Sequence, residues 1–365
     1  MFDRRLVEYF DWILLGITFL LCCIGLMTLY SAAAAGTMQK TLYMKQSIWF
    51  CAGLMLMVCS FLFNYRSLEG WSVAIYGGCI LLLVCVLIFG KYIGGSRRWL
   101  TFSGISIQPS EMVKIALIVV LSKHYSRFSK EQGFTIRDLF KPFMLVAIPF
   151  FLVARQPDLG TAMLLLLIAV SMTVFVKIEK RLFVYLVSFC TITVPLVWFF
   201  LKDYQKERIL TFLNPDRDPL GSGYHIIQSK IAIGSGMLSG KGFLKGTQNV
   251  FSFLPEQHTD FIFSVFAEEW GFLGSVFLIF MFLMLIVWGL KIANGCRDSF
   301  GTILAVGLTA MLFWEIFINV GMVTGLVPVV GVPLPFISYG GSSVVTKMIG
   351  IGLLLNLSMR RFIVE

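Results

Sequence analysis

Apolar runs of about twenty residues recur along almost the whole chain, and they constrain its fold more than any other feature. We count ten, at 12–35, 45–63, 71–89, 108–122, 138–154, 160–176, 182–201, 261–290, 301–324 and 341–359. The eighth run is long, and a separate short helix before Gly271 is predicted at its start. A helix of that length crosses the roughly 30 Å hydrocarbon core of a bilayer. Only 14% of the residues are charged, and the mean hydropathy is +0.85. The sequence therefore predicts an all-α integral membrane protein, a single polytopic domain (1–365) with about ten transmembrane helices.

The basic residues of the loops predict the orientation of the chain. With the amino terminus inside, fifteen lysines and arginines fall in the inner loops and six in the short outer loops. The six are Lys40, Lys45, Lys91, Arg97, Arg98 and Arg155. Cytoplasmic loops carry the positive excess in membrane proteins, so both termini are predicted to be cytoplasmic. The long polar segment at about 202–260 is then a large extracytoplasmic loop, and the net charge of +10 reflects topology rather than nucleic-acid binding.

The first polar cluster on the predicted outer side contains Arg98 and Trp99, followed by Gln108-Pro109-Ser110-Glu111 and Lys114. Pro109 suits the first turn of a helix, which would place Glu111 and Lys114 on one face. A lone charge inside a membrane is costly, so we expect these two residues to pair, and an isolated pair would tolerate exchange of its two members. The pair is either purely structural or belongs to a site for an anionic headgroup, because arginine forks suit phosphate and tryptophan suits the membrane interface.

The second and third clusters each contain a candidate carboxylate. Asp158, in Gln156-Pro157-Asp158-Leu159-Gly160-Thr161, either caps the following helix or faces the same site as Arg98. Asp260 closes the long polar loop and is followed at once by Phe261. It is therefore predicted at the mouth of a helix, where partial desolvation would suit it to act as a base. His258 is a second candidate contact to a substrate.

The fourth cluster cannot form a regular helix. Pro328, Pro333 and Pro335 precede Ser338-Tyr339-Gly340-Gly341. Broken backbone at membrane depth is tolerated where it is buried in protein or lines a cavity. We interpret this segment as a cavity wall, with a simple loop as the alternative. Elsewhere, no spacing of cysteine or histidine indicates a metal site.

Together these residues resemble the SEDS family of bacterial cell-wall proteins (shape, elongation, division and sporulation). The resemblance rests on five separated motifs: Arg98-Trp99; Gln108-Pro109-Ser110-Glu111 with Lys114; Gln156-Pro157-Asp158-Leu159-Gly160-Thr161; Leu254-Pro255-Glu256 with Thr259-Asp260-Phe261; and Pro333-Leu334-Pro335-Phe336 with Ser338-Tyr339-Gly340-Gly341. Three further stretches are similar to the elongation branch of the family rather than to its division branch: 228–236, Gly240-Lys241-Gly242 and Gly246-Thr247-Gln248.

The resemblance implies a peptidoglycan glycosyltransferase that polymerises lipid II during cell elongation. The growing strand on undecaprenyl diphosphate would be the donor, at the outer face of the bacterial cytoplasmic membrane. Asp260 would be the catalytic base. The implied substrate contacts are Arg98, Trp99, Glu111, Lys114, Asp158, Lys241, His258 and Ser338.

Other implications of the resemblance are left open. Arg98, Lys114, Lys241 or a bound divalent cation such as Mg²⁺ would neutralise the diphosphate. The implied protein partners are a class B penicillin-binding protein and other membrane proteins of the elongation complex, with no nucleic acid. A flippase for a lipid-linked precursor, with a broken-helix site as in transporters, and a non-catalytic scaffold are the alternative functions.

Overall fold

The computed structural model describes residues 10–33, 39–93, 96–102, 105–127, 134, 137–176, 199, 203–214, 217, 222–247 and 257–360. The helices in these residues are α1 (Trp12–Ala32), α2 (Gln39–Leu62), α3 (Tyr65–Phe89), α4 (Pro109–Arg127), α5 (Phe140–Arg155), α6 (Leu159–Phe175), α7 (Asp203–Leu213), α8 (Ser222–Ser235), α9 (Ile262–Gly295), α10 (Ser299–Thr324) and α11 (Gly341–Arg360). The strands are β1 (Lys91–Ile93), β2 (Ser96–Phe102) and β3 (Ile105–Ile107).

Among the described residues, 6 helices are long and apolar enough to cross a membrane. They are α1, α2, α3, α9, α10 and α11. Helix α6 is apolar but has only 17 residues, and α4 carries charges within its 19 residues. The mainly helical membrane architecture is thereby confirmed. The predicted run at 182–201 lies outside the described residues apart from position 199, so the number of ten spans and the orientation stay predictions.

Helix boundaries follow the capping residues of the sequence. The Asp11 carboxylate accepts a hydrogen bond from the Leu14 amide at 3.2 Å at the start of α1. The Asp298 carboxylate does the same for Gly301 at 2.8 Å at the start of α10. Each such bond satisfies an amide that has no partner inside its helix. At the other end, α10 stops at Gly325, whose φ of 75° is the left-handed conformation that glycine adopts without strain.

Helices α10 and α11 form the buried centre of the bundle. About 72% of the apolar, membrane-spanning stretch of α10 and 89% of that of α11 are buried inside the protein, against 22% for α2, α3 and α9. Helix α11 packs chiefly on α2, while α10 packs on α9, α4 and α6. The polar side chains of α10 and α11 therefore point at other helices rather than at lipid, and they need partners there.

The prediction of an all-α protein is wrong for residues 91–107. There β1, β2 and β3 form a three-stranded antiparallel sheet in the order β1-β2-β3, with Trp99 opposite Lys91 and Leu100 opposite Ile107. The sheet leads directly into α4. Its last strand is tied to the start of α11, because the Gln108 amide donates to the Ser342 hydroxyl at 3.0 Å.

Two predicted interruptions of helix are confirmed. Helix α9 is broken at Gly271, whose φ of 65° and ψ of −162° separate a short helix, 262–270, from the long span that follows. No helix is assigned between Gly325 and Gly340, where the prolines of the fourth cluster lie. We call residues 328–340 the broken segment. It contacts the turn before α9, the first turn of α6 and helix α1.

Candidate functional site

Asp260 lies in a turn, 257–261, that immediately precedes α9. Three consecutive carbonyl groups of this turn each accept a hydrogen bond. The His258 carbonyl accepts from the Tyr339 amide at 2.9 Å, and the Thr259 carbonyl accepts from the Ser338 hydroxyl at 2.6 Å. The Asp260 carbonyl accepts from Asn319 Nδ2 at 3.0 Å. The turn is thus fixed through its backbone, and the Asp260 side chain is partly exposed.

The Asp260 carboxylate lies against the broken segment at Gly331. A Cβ atom added to Gly331 would be 3.3 Å from Asp260 Oδ2, and the φ of Gly331 is 69°. Any other residue here would be strained and would also crowd the carboxylate. Glycine at position 331 therefore allows the broken segment to approach the carboxylate closely.

Arg98 and Asp158 form a second part of the site. Asp158 Oδ1 accepts from the Thr161 amide at 3.3 Å, which caps α6, and lies 3.6 Å from Arg98 Nη1. Asp158 Oδ2 accepts from Gln108 Nε2 at 3.2 Å. Asp158 therefore caps its helix and also contacts Arg98. The second alternative, a cavity that Asp158 shares with Arg98 and Glu111, stays a prediction. The Arg98 side chain is 26% exposed, and Trp99 beside it is partly exposed.

The broken segment lies between these two parts. A Cβ atom on Gly160 would be 2.4 Å from the Val330 carbonyl oxygen, so the first turn of α6 packs directly on the segment. One residue further along, Gly331 meets Asp260. Gly160, two residues after Asp158, and Asp260 itself thus meet consecutive residues of the same short stretch of chain.

A cluster of four buried charges lies beneath the Asp260 turn; we call it the charge cluster. Lys114 Nζ is 2.9 Å from Glu111 Oε1 and is also paired with Glu315. Lys347 Nζ is 2.8 Å from Glu111 Oε2 and 3.1 Å from Glu315 Oε1. The four side chains are at most 4% exposed, and their two positive and two negative charges cancel.

The charge cluster changes the interpretation of Glu111 and Lys114. The predicted pair is present, but both residues are buried and each contacts two opposite charges. Their charges are therefore directed at other helices and not at a substrate. Glu315 lies four residues before Asn319 on α10, which places the cluster about 6 Å below the Asp260 turn at 1.5 Å per residue.

Three residues of this region were missed by the sequence interpretation: Glu315, Asn319 and Lys347. A signal for two of them was available. Glu315 is the only ionisable residue in the apolar run 301–324, and Lys347 is the only one in the run 341–359. An ionisable residue within a span is a marker of function or pairing. Asn319 carries no charge, and only the structure identifies it.

Lys241 does not reach the Asp260 turn. Its Nζ is 2.6 Å from Glu268 Oε1 and donates to the Thr247 hydroxyl at 2.7 Å. The loop that carries Lys241 folds onto the start of α9, and a Cβ atom on Gly240 would be 2.1 Å from the Glu269 carbonyl oxygen. Glu268 lies about two helical turns beyond Asp260. The structure therefore makes Lys241 a tether for this loop.

Ser338 and His258 have different surroundings. The Ser338 hydroxyl donates to Thr259 and accepts from the Leu334 amide at 2.8 Å, and the residue is 3% exposed. Its hydrogen-bonding capacity is thus used inside the fold, which argues against direct substrate contact. His258 is partly exposed, and its ring meets Tyr339 edge-on with centroids 6.2 Å apart.

Within the residues that the structure describes, no group of three or more His, Cys, Asp or Glu side chains could hold a metal ion.

Comparison with known proteins gives consistent matches over most of the chain. A family model described as "Cell cycle protein", FTSW_RODA_SPOVE, matches residues 11–362. The peptidoglycan glycosyltransferase MrdB of Escherichia coli K12 is 44% identical over 315 residues, 85% of this chain and 83% of that protein. The probable peptidoglycan glycosyltransferase FtsW of Geobacter metallireducens is 38% identical over 97% of this chain and 96% of that protein.

The fold is also similar to that of a solved structure. The description of that structure reads "Structural coordination of polymerization and crosslinking by a peptidoglycan synthase complex". The two chains are 33% identical, with a TM-score of 0.83, and the match covers 97% of this chain and 98% of the other.

Proposed function

The chain belongs to the FtsW/RodA/SpoVE family, and on that premise we propose that it polymerises lipid II with Asp260 as the general base. It is a membrane protein and a peptidoglycan glycosyltransferase. The proposal adds the substrate, the catalytic residue and the side of the membrane. Polymerisation takes place at the outer face of the bacterial cytoplasmic membrane, where the Asp260 turn lies in the proposed topology.

The proposed reaction needs only one carboxylate. The oxygen of the acceptor hydroxyl attacks the anomeric carbon of the donor sugar, and the bond from that carbon to the diphosphate oxygen breaks. The diphosphate leaves with the bonding electron pair, and the hydroxyl proton passes to the Asp260 carboxylate. Glycosidases use a second carboxyl group to protonate a poor leaving group. A diphosphate is a stable anion and leaves without a proton.

The accessibility of Asp260 is the observation that carries this assignment. Four carboxylates nearby, Glu111, Glu268, Glu269 and Glu315, are each at most 3% exposed. Asp158 is 1% exposed and faces Arg98. Among the carboxylates of this region that the structure describes, Asp260 combines partial exposure with a turn fixed by three hydrogen bonds. A base must reach its substrate and must also be held still.

We assign the diphosphate to Arg98. Of the three cations expected to neutralise it, Lys114 is fully buried and Lys241 is held by Glu268 at 2.6 Å. The Arg98 side chain is as exposed as that of Lys241, and its Nη2 donates to the Pro157 carbonyl, but its Nη1 is 3.6 Å from its carboxylate partner, a looser ion pair. A guanidinium can bind two phosphate oxygens side by side, and Trp99 on the same strand suits the membrane interface.

We also propose a role in cell elongation with a class B penicillin-binding protein as partner. The similarity of 228–236 and 240–242 to the elongation branch supports the first statement. The second is supported by the similar fold of a chain from a peptidoglycan synthase complex.

The test is the purified chain supplied with lipid II alone. Glycan strands should appear and lengthen with time, and they should do so without any other polymerase. A flippase would yield no polymer in this assay and would move labelled lipid II across vesicles instead. A scaffold would yield neither result, and either outcome would refute the proposed function.

The proposed topology makes a separate prediction. Reporter fusions after Lys130 and Lys180 should give a cytoplasmic signal, and fusions near Pro215 and Leu254 should give an external one, because the positive excess marks the cytoplasmic side. Paired alkaline phosphatase and fluorescent-protein fusions measure both signals. A cytoplasmic signal near Pro215 would place the Asp260 turn on the wrong side for external polymerisation.

A further inference from the structure

Asn319 joins the two chain segments that meet at Asp260. Its side chain is 0% exposed. Its Nδ2 donates to the Asp260 carbonyl at 3.0 Å and to the Val332 carbonyl at 2.7 Å. Both acceptors are carbonyl oxygens, so the amide must turn its NH₂ group toward them, and both of its N–H donors are used. The link therefore runs from α10 to the catalytic turn on one side and to the broken segment on the other.

This link fixes a distance that matters for the proposed chemistry. Gly331, the neighbour of Val332, is the residue that the Asp260 carboxylate approaches. Tying the backbones at positions 260 and 332 to one side chain sets how far the carboxylate stands from the broken segment. Helix α10 is itself held firmly, because Glu315, one turn earlier, belongs to the charge cluster.

We propose that Asn319 is a positioning residue that aligns the Asp260 carboxylate with the acceptor hydroxyl. This inference rests on the proposed role of Asp260 as the base. Asn319 is buried and acts only through backbone carbonyls, so its loss should leave substrate binding intact. A displacement of about 1 Å between reacting groups can cost about 10²-fold in rate. The effect should therefore fall on kcat and not on KM.

The turn should survive the loss of Asn319. The neighbouring carbonyls, of His258 and Thr259, keep their own donors from Tyr339 and Ser338. Asn319→Leu keeps the branched shape and the number of side-chain heavy atoms and removes both N–H donors, so it frees the backbone of Asp260 without opening a cavity.

The chain offers a matched control in Asn356 on α11. It is also 0% exposed, and its Nδ2 contacts the carbonyls of Ser60 and Phe61 at 3.0 and 3.1 Å and that of Phe63 as well. It makes the same kind of link between buried backbone carbonyls, but at the end of α2 and not at the Asp260 turn. Asn356→Leu therefore reproduces the burial and the lost hydrogen bonds of Asn319→Leu away from the proposed site.

The experiment compares kcat and KM for lipid II polymerisation by the wild type, Asn319→Leu, Asn356→Leu and Asp260→Asn, each purified as folded protein by size exclusion. We expect kcat of Asn319→Leu to fall about 10²-fold with KM unchanged, and Asn356→Leu to keep the wild-type kcat. Asn319→Ser, which keeps one hydroxyl donor, should give an intermediate kcat. It also serves as the second variant if Asn319→Leu is not folded.

Four results would overturn the inference. One is an equal loss of kcat in Asn319→Leu and Asn356→Leu, and another is a rise in KM that accounts for the loss. The third is misfolding of both Asn319 variants while Asn356→Leu folds, which would make Asn319 a determinant of folding only. If Asp260→Asn is inactive and Asn319→Leu keeps its kcat, the inference alone fails. If Asp260→Asn is fully active, the proposed function fails and there is no base for Asn319 to position.

Discussion

Asp260→Asn is expected to lower the rate of glycan synthesis by about 10²- to 10⁴-fold, the usual contribution of a positioned general base. Asparagine has nearly the size of aspartate and can accept hydrogen bonds, but its neutral amide cannot take the proton of the acceptor hydroxyl. The backbone bonds of the turn, from Tyr339, Ser338 and Asn319, do not involve the changed side chain. Folded yield and binding of lipid II should therefore match those of the wild type while polymer disappears.

The rate is measured as the initial consumption of labelled lipid II by purified protein. Asp298→Asn is the matched control. Asp298 is also a partly exposed aspartate, but it caps the opposite end of α10, and asparagine caps helices as well as aspartate does. Its activity should stay within about threefold of the wild-type activity. That change is much smaller than the loss of about 10²-fold expected from a misplaced catalytic group.

Two further substitutions separate charge from position. Asp260→Glu keeps the charge but adds a methylene beside Gly331, where Oδ2 is already close, so the rate should still fall about 10²-fold. His258→Ala should have a smaller effect. If Asp260→Asn polymerised lipid II at the wild-type rate, the base would have to be another residue. Glu268 and Glu269 are buried, and Glu256 lies outside the described residues.

The membrane helices could be predicted from the sequence because length and apolarity are properties of a continuous stretch. The helix break at Gly271 and the helix cap at Asp158 could be predicted as well, because both depend only on the nearest few residues. The sheet at 91–107 was missed because its strands have only 3, 7 and 3 residues. A segment that short gives no periodicity that distinguishes a strand from a loop.

Contacts between distant parts of the chain could not be predicted. Lys114 and Glu315 are 201 positions apart, and Lys347 and Glu111 are 236 apart. Whether they meet depends on how α4, α10 and α11 rotate and pack. Lys241 shows the same limit in a loop, because its partner Glu268 is set by the close packing of Gly240 on α9. The sequence thus indicated which ionisable residues matter more reliably than it indicated the residue that each of them contacts.

The charge cluster leads to the second large effect that we expect. Lys347→Met removes one positive charge and leaves Glu111 and Glu315 sharing only Lys114. A buried charge without its partner costs about 3–5 kcal/mol, so Lys347→Met should lower the melting temperature and the folded yield sharply. Arg127→Met is the matched control. Arg127 pairs with Glu69 at 3.7 Å while 62% exposed, and loss of an exposed pair costs at most about 1 kcal/mol.

Restoring neutrality should restore stability. The double variant Lys347→Met with Glu315→Gln keeps Glu111 and Lys114 as a neutral pair at 2.9 Å. It should therefore melt well above Lys347→Met, although it has lost one more charge. Thermal unfolding of the detergent-purified proteins, followed by intrinsic fluorescence, gives the melting temperatures of the wild type, Lys347→Met and the double variant.

Exchange of Glu111 and Lys114 tests whether the cluster acts as a unit. An isolated pair would tolerate the exchange, as the sequence alone suggested. In the charge cluster, Glu111→Lys would place a lysine against Lys347, and Lys114→Glu would place a glutamate against Glu315. Each new contact is repulsive in a buried site, so the exchanged variant, although neutral, should stay well below the wild type in stability and folded yield. Recovery of folded yield by the exchange would show that the pair is independent of α10 and α11. The charge cluster would then not support the turn that carries Asp260.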